Sequence, residues 1–291
     1  MSPFDRVVLI FNPHSTGDAK EKASELRDEL SVRTPQLPVE LAATQYAGHA
    51  RDLARDAARR GRPLLVSVSG DGGYNEVVDG VMASGSQEVV CAVLAAGNAN
   101  DHRRTTREQP LAQAIEAGHV RRIDLLKLTV DGTTTRYAHT YIGLGLTPVV
   151  AVDLEKGGKG SLREMVTTVR AFARFRPFEI VRPDRTRERF DSIVFANINQ
   201  MAKVATLSED EGRPDDGTFE VITMRHTAKW RILATALRAA SRGLGPQPSV
   251  RDYDFTTVKP MPLQVDGEVM DLDAGASVHV EIAPRALRTV L

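Results

Sequence analysis

Val66-Ser67-Val68-Ser69-Gly70-Asp71-Gly72-Gly73-Tyr74-Asn75-Glu76-Val77-Val78-Asp79-Gly80 is the stretch whose reading decides the fold. The apolar run from Pro63 to Val68 is a buried strand, Ser69 to Gly73 a tight turn, and Tyr74 to Asp79 a helix. Three glycines around one aspartate allow positive φ angles and close approach of a ligand to the main chain. The helix that follows turns its free N–H groups and positive dipole end toward that turn, which makes an anion site suited to phosphate. Asp71 would repel a bare phosphate, so it is expected to hold magnesium, a basic side chain or a nucleotide hydroxyl. The plain alternative is a bare strand-to-helix turn, and the rest of the chain has to decide between them.

The same pattern recurs on either side. Arg6 to Phe11 is a first buried strand ending in Asn12-Pro13-His14-Ser15-Thr16-Gly17, with helical spacing from Lys20 to Leu30. Val39 to Ala43 is a second strand, Thr44 to Gly48 a turn, and His49 to Arg60 a basic amphipathic helix. Val89 to Leu94 is a further strand running into Ala95-Ala96-Gly97-Asn98-Ala99-Asn100-Asp101. Strands alternating with helices predict a parallel sheet that binds its ligand at the carboxyl ends of the strands. From about Arg122 alternation replaces helical spacing. Ile123 to Val130 and Thr133 to Ile142 read as a hairpin about Asp131-Gly132. Further strands are expected at Phe178 to Val181, Phe190 to Asn197, Thr218 to Met224, Ser249 to Val258, Leu263 to Val269 (turning at Asp266-Gly267), Val278 to Ile282 and Leu287 to Leu291. Two helices interrupt them, Gly160 to Phe175 and Ala228 to Ala240, the second carrying Trp230 as a core residue.

Composition narrows the function. The 291 residues carry 38 Lys+Arg and 38 Asp+Glu, so there is no global basic surface for nucleic acid. The single cysteine, Cys91, excludes an intramolecular disulfide and a cysteine-rich zinc site, and its apolar run makes it an inert buried thiol. No apolar run reaches membrane-spanning length, and the N-terminus lacks a signal peptide's apolar stretch, so a cytoplasmic protein is expected.

Taken in order, these loops resemble the diacylglycerol kinase catalytic-domain superfamily in its bacterial lipid-kinase branch, related to sphingosine and ceramide kinases. The motifs are Asn12-Pro13 with Ser15 and Gly17, Thr44 with Gly48, Ser69-Gly70-Asp71-Gly72 followed by Asn75-Glu76-Val77-Val78-Asp79-Gly80, Gly97 with Asn100-Asp101, Asp215-Asp216-Gly217, and Asp266-Gly267-Glu268. The resemblance implies an α/β N-terminal domain with a parallel sheet (NAD kinase/diacylglycerol kinase-like) over 1–122. Residues 123–291 would form an antiparallel β-sandwich-like domain for the lipid substrate, its last segment able to pack back on the first. It implies an active site in the cleft between them, and an ATP- and magnesium-dependent transferase of lipid metabolism and phospholipid biosynthesis with a lipid hydroxyl, diacylglycerol or a relative, as acceptor.

Residue roles follow from the resemblance. Nucleotide contacts carry over to Asn12, Pro13, His14, Ser15, Thr16, Thr44, Gly70, Asp71, Gly72, Gly73, Tyr74, Asn75, Glu76 and Asn98. The base carries over to Glu268 with Asp266 beside it, Asp71 serves the magnesium–nucleotide side, and a structural magnesium falls to the Asp216 side chain with the carbonyls of Arg213 and Thr218. Two carboxylates two residues apart on one turn are both expected to face the cleft, although Asp-Gly is also the commonest plain hairpin signal. Gly73 stands where the family carries Thr after the second glycine of the loop, Asn98 stands at another usual Thr, and Asn199-Gln200 replaces a usual Gly-Gly pair. An NAD kinase-like enzyme with a soluble acceptor and a non-catalytic nucleotide- or lipid-binding homologue stay open beside the lipid kinase. The partner is expected at a membrane surface. Arg163, Arg170, Arg174 and Arg176 near Phe172, Phe175 and Phe178 could meet anionic headgroups there, the plainer reading being a core-facing stripe with solvated arginines. Oligomeric state is open, a homodimer included.

Overall fold

The structure, a computed structural model, describes residues 2–15, 18–96, 109–145, 177–197, 200–201, 205–206, 215–225 and 247–290. By its internal contacts the chain divides into two compact units, Met1–Leu125 with Ala283–Leu291, and Leu126–Ile282.

In the first unit the strands are β1 (Arg6–Phe11), β2 (Val39–Ala43), β3 (Pro63–Ser69) and β4 (Val90–Ala95). They pair in parallel in the order β4-β3-β1-β2. The helices are α1 (Ala19–Arg33), α2 (His49–Ala58), α3 (Asp71–Ser84) and α4 (Leu111–Ala117). Side-chain alternation along the strands sorts the two faces. Leu64, Val66 and Val68 share a core with Val7, Leu9, Phe11, Leu26 of α1 and Ile115 of α4. On the opposite face α2 packs on α3, with α2 against β1 and β3 and α3 against β3 and β4. Gly80 permits that helix pair: a Cβ there would lie 2.9 Å from Ala54 Cβ and run into the Arg51 carbonyl. Asp79 beside it is buried and meets Arg51 Nη2 at 3.0 Å.

β5 (Val120–Val130) carries the chain onward into the second unit, whose strands are β6 (Thr134–Ala138), β7 (Tyr141–Gly145), β8 (Phe178–Val181), β9 (Arg187–Ala196), β10 (Gln200–Met201), β11 (Ala205–Thr206), β12 (Phe219–Arg225), β13 (Ser249–Val250), β14 (Asp252–Thr257), β15 (Met261–Val265), β16 (Glu268–Leu272) and the first part of β17 (Ser277–Val290), whose end from Ala283 belongs to the first unit. Pairing here is antiparallel, including β9 with β7, β8 and β12, β15 with β7 and β16, and β14 with β8 and β17. The core centres on Phe195, whose ring lies 5.9 Å from Phe219 edge-on and 5.0 Å from Tyr253. The expected fold class therefore holds: a parallel α/β unit, then antiparallel strands.

Four expectations need correction. The helix after the glycines begins at Asp71, not Tyr74, and Gly70 is extended (φ −88°, ψ −170°). Gly70, Gly72 and Gly73 do not use the positive φ that their composition suggested. The expected strand Thr133 to Ile142 is two, β6 and β7, broken at His139-Thr140 because β6 pairs with β5 while β7 pairs with β9 and β15. The two closing strands are one, β17, continuous through Arg285 at φ 51°. Its first half pairs with β14, and Arg288 and Thr289 pair with β4 of the first unit's sheet. The expected helices at 160–175 and 228–240, with Trp230, Arg163, Arg170, Arg174 and Phe172, lie outside the described residues, as does Arg176.

Candidate active site

The strand order creates the site. From β1 the chain moves to one side for β2, then crosses back past β1 to β3, so the connections after β1 and β3 diverge. In a parallel sheet such a switch point leaves a crevice at the carboxyl ends of the strands. A cavity of about 540 Å³ lies there, a size suited to a small ligand. It is lined from β1 and its loop by Phe11, Asn12, His14 and Ser15, from the end of β2 by Thr44 to Ala47, and from β3 and α3 by Ser67, Ser69, Gly70, Gly73 and Glu76. The β1 loop is pre-formed. Asn12 Oδ1 accepts the His14 N–H at 2.9 Å, its carbonyl accepts the Ser15 N–H at 3.2 Å, and the Thr44 N–H donates to the Phe11 carbonyl at 2.9 Å.

Helical phase decides which expected contacts reach this cavity. With α3 starting at Asp71, Gly70, Gly73 and Glu76 fall on one face at spacings of three, and they line the cavity. Tyr74 and Asn75, also expected as nucleotide contacts, are wholly buried and are not among the residues that line the cavity. Asp71 occupies the first turn of α3, where its negative charge suits the helix dipole. Thr16 and Asn98 lie outside the described residues, and Pro13 of the β1 loop and Gly72 of the first turn of α3 are not among the residues that line the cavity. Sequence reasoning missed Ser67. Its signal was present, since alternation puts Ser67 on the same strand face as Ser69.

In the second unit Asp266 and Gly267, at φ 43° and 96°, form the tight turn between β15 and β16. Both residues at positive φ is the hairpin geometry that Asp-Gly favours. Glu268 opens β16, half-buried. Asp266 is 1% exposed and fully engaged with the corner between β6 and β7. It accepts the backbone N–H groups of His139 (2.6 Å), Thr140 (3.1 Å) and Tyr141 (2.8 Å) and the Thr140 hydroxyl. The expectation that both carboxylates of this turn face the cleft is corrected for Asp266, which is buried with its acceptor capacity consumed in holding β7 to the hairpin. Burial raises its carboxyl, but the His139 imidazole and the donors of Thr140 and Tyr141 outweigh burial and hold it below the usual carboxylate range.

With this geometry fixed, comparison with known proteins shows what the chain is similar to. Residues 6–128 match the model of the diacylglycerol kinase catalytic domain. A diacylglycerol kinase of Staphylococcus carnosus is 27% identical over 90% of this chain and 88% of its own. A crystal structure described as a diacylglycerol kinase from Bacillus anthracis superposes with a TM-score of 0.73 over 100% of this chain and 98% of that one, at 18% identity, and shares the fold.

The cavity's donors, hydroxyls, loop N–H groups and a helix N-terminus, have the right chemistry for phosphate oxygens. The magnesium set expected in the second unit is only partly described. Asp216 is exposed, its Oδ1 accepts the Thr218 N–H at 2.9 Å and the Thr218 hydroxyl at 3.0 Å, and Gly217 turns between them at φ 77°. A carboxylate next to a backbone carbonyl fits a hard divalent cation. Arg213 lies outside the described residues, and among those described no three His, Cys, Asp or Glu side chains gather into a metal cage. No helix of the described residues is long and apolar enough to cross a membrane.

Proposed function

We propose that the protein is an ATP-dependent lipid kinase that moves the γ-phosphoryl group of MgATP to a lipid hydroxyl, that of diacylglycerol or a related lipid. The observation that carries this reading is the cavity at the β1/β3 switch point, walled by Asn12, Ser15, Thr44, Ser69 and Gly70 at the head of α3. Phosphoryl transfer asks the protein chiefly for positioning and charge stabilisation, which these groups supply. Asn12, His14, Ser15, Thr44, Gly70, Gly73 and Glu76 hold the nucleotide, with Thr16 and Asn98 completing the set and Asp71 on the magnesium side.

Glu268 is the general base. It accepts the proton of the acceptor hydroxyl as that oxygen bonds to the γ-phosphorus and the bond to the β-phosphate oxygen breaks, releasing ADP. Asp266 acts as a positioning residue, since its four donors fix the turn that presents Glu268. A structural magnesium on Asp216 with the carbonyls of Arg213 and Thr218 would supply charge neutralisation in the second unit.

The test is transfer of label from γ-labelled ATP, with magnesium, into an extracted lipid mixture by the native protein and by Glu268→Gln. Label in a lipid is expected from the native protein, with about a 10²- to 10⁴-fold loss in the variant. Label recovered in NADP instead would assign a soluble acceptor, and ATP binding without transfer would leave a binding protein; either result overturns the proposal.

A further inference from the structure

We infer that Ser69 presents the side-chain hydroxyl that binds the nucleotide's phosphate oxygens, with Ser67 behind it as a hydrogen-bond donor, and that Gly73 is glycine to make room for it. This rests on the nucleotide reading of the cavity proposed above.

The space at position 73 is already taken. A Cβ built on Gly73 would lie 2.7 Å from both Cβ and Oγ of Ser69, and 3.9 Å from Ser67 Oγ. A side chain there and the Ser69 side chain exclude one another, because real Cβ atoms do not approach other heavy atoms so closely. The chain thus places its hydroxyl at the end of β3 instead of in the first turn of α3. Both serines, Gly70 and Gly73 line the cavity.

The hydrogen bonds around Ser69 suit a hydroxyl that turns to a ligand. Its Oγ is 2.7 Å from Ser67 Oγ, and it donates to the Gly70 carbonyl at 2.8 Å. That carbonyl also accepts the Tyr74 N–H at 3.1 Å as the first bond of α3, so it keeps a partner when Ser69 rotates away. Ser67 is 2% exposed and stays behind as donor, which polarises the Ser69 hydroxyl toward an anionic acceptor. The backbone of Ser69 does not move in this exchange, since its carbonyl is held by the Ala96 N–H at 3.1 Å.

The experiment measures affinity for ATP and for adenosine by calorimetry in the native protein, Ser69→Ala, Gly73→Thr and the double variant Ser69→Gly/Gly73→Thr. Ser69→Ala is expected to weaken ATP about tenfold or more while adenosine changes by less than about twofold, because only the phosphates lose a charge-assisted bond. Gly73→Thr alone weakens ATP through the clash, and the double variant returns to within about threefold of native, since one hydroxyl again occupies one space. Unchanged ATP affinity in Ser69→Ala, an equal loss for adenosine, or a double variant no better than Gly73→Thr would overturn the inference while the nucleotide reading stands. A native protein that binds no ATP would overturn both.

Discussion

Asp266 and His139 are joined twice. The backbone N–H of His139 donates to Asp266 Oδ2 at 2.6 Å, and Nδ1 of the same imidazole lies 2.6 Å from that oxygen, with both side chains shut away from solvent. The pair fixes the corner at which β6 ends and β7 begins to the turn that carries Glu268.

Replacing Asp266 with Asn is expected to cost about 3 kcal/mol or more at neutral pH, because buried donors lose a charged acceptor. The pH dependence has a definite sign. A carboxyl held below its unfolded value stabilises the fold above that unfolded value, about pH 4, and the contribution disappears as pH falls through the folded value. Denaturation midpoints of native protein and Asp266→Asn should therefore differ most at neutral pH and converge in acid. Parallel curves down to pH 2 would show that the carboxylate charge does not stabilise the fold.

The α2–α3 contact makes the second prediction. Alanine normally stabilises a helix over glycine by about 1 kcal/mol. At Gly80 the added methyl runs into the Arg51 carbonyl and lies 2.9 Å from Ala54 Cβ, and backbone cannot yield as a side chain can. Overpacking of this kind costs about 1–3 kcal/mol, so Gly80→Ala should lower the urea midpoint. A raised midpoint would mean that the helices separate at little cost.

Cys91 gives the third. Burial pushes its thiol up to about 12, and the residue is wholly enclosed in β4. In the native protein at pH 8 it should resist a thiol reagent, and it should react stoichiometrically once the fold is opened with urea. Rapid native labelling would show local opening of the central sheet.

The first unit was largely legible because its strands are continuous apolar runs, as Val7 to Phe11 and Leu64 to Val68 illustrate. The start of α3 was misread because glycine looks like a turn by composition, whereas the helical frame is set by Tyr74, Val77, Val78 and Val81 burying themselves together. The cavity loops at Asn12, Thr44 and Gly70 could be picked out one by one. The clearance between Ser69 and a Cβ at position 73 is a matter of tenths of an ångström and has no counterpart in residue spacing. Nor could the role of Asp266 be read locally, since His139 lies 127 positions earlier and only the fold brings them together.

The final strand has a consequence for how the protein is made. Val290 belongs to the core of the first unit, and Arg288 and Thr289 cover the flank of β4 opposite β3, although some two hundred residues separate Arg288 from Glu88, to whose carbonyl it donates at 2.9 Å. During synthesis the ribosome delivers β1 to β4 long before this strand exists. The parallel sheet of the first unit must therefore wait, with the flank of β4 unpaired, until some two hundred further residues have been translated. Contacts of such long loop closure form slowly, and an unpaired edge invites association with other nascent chains.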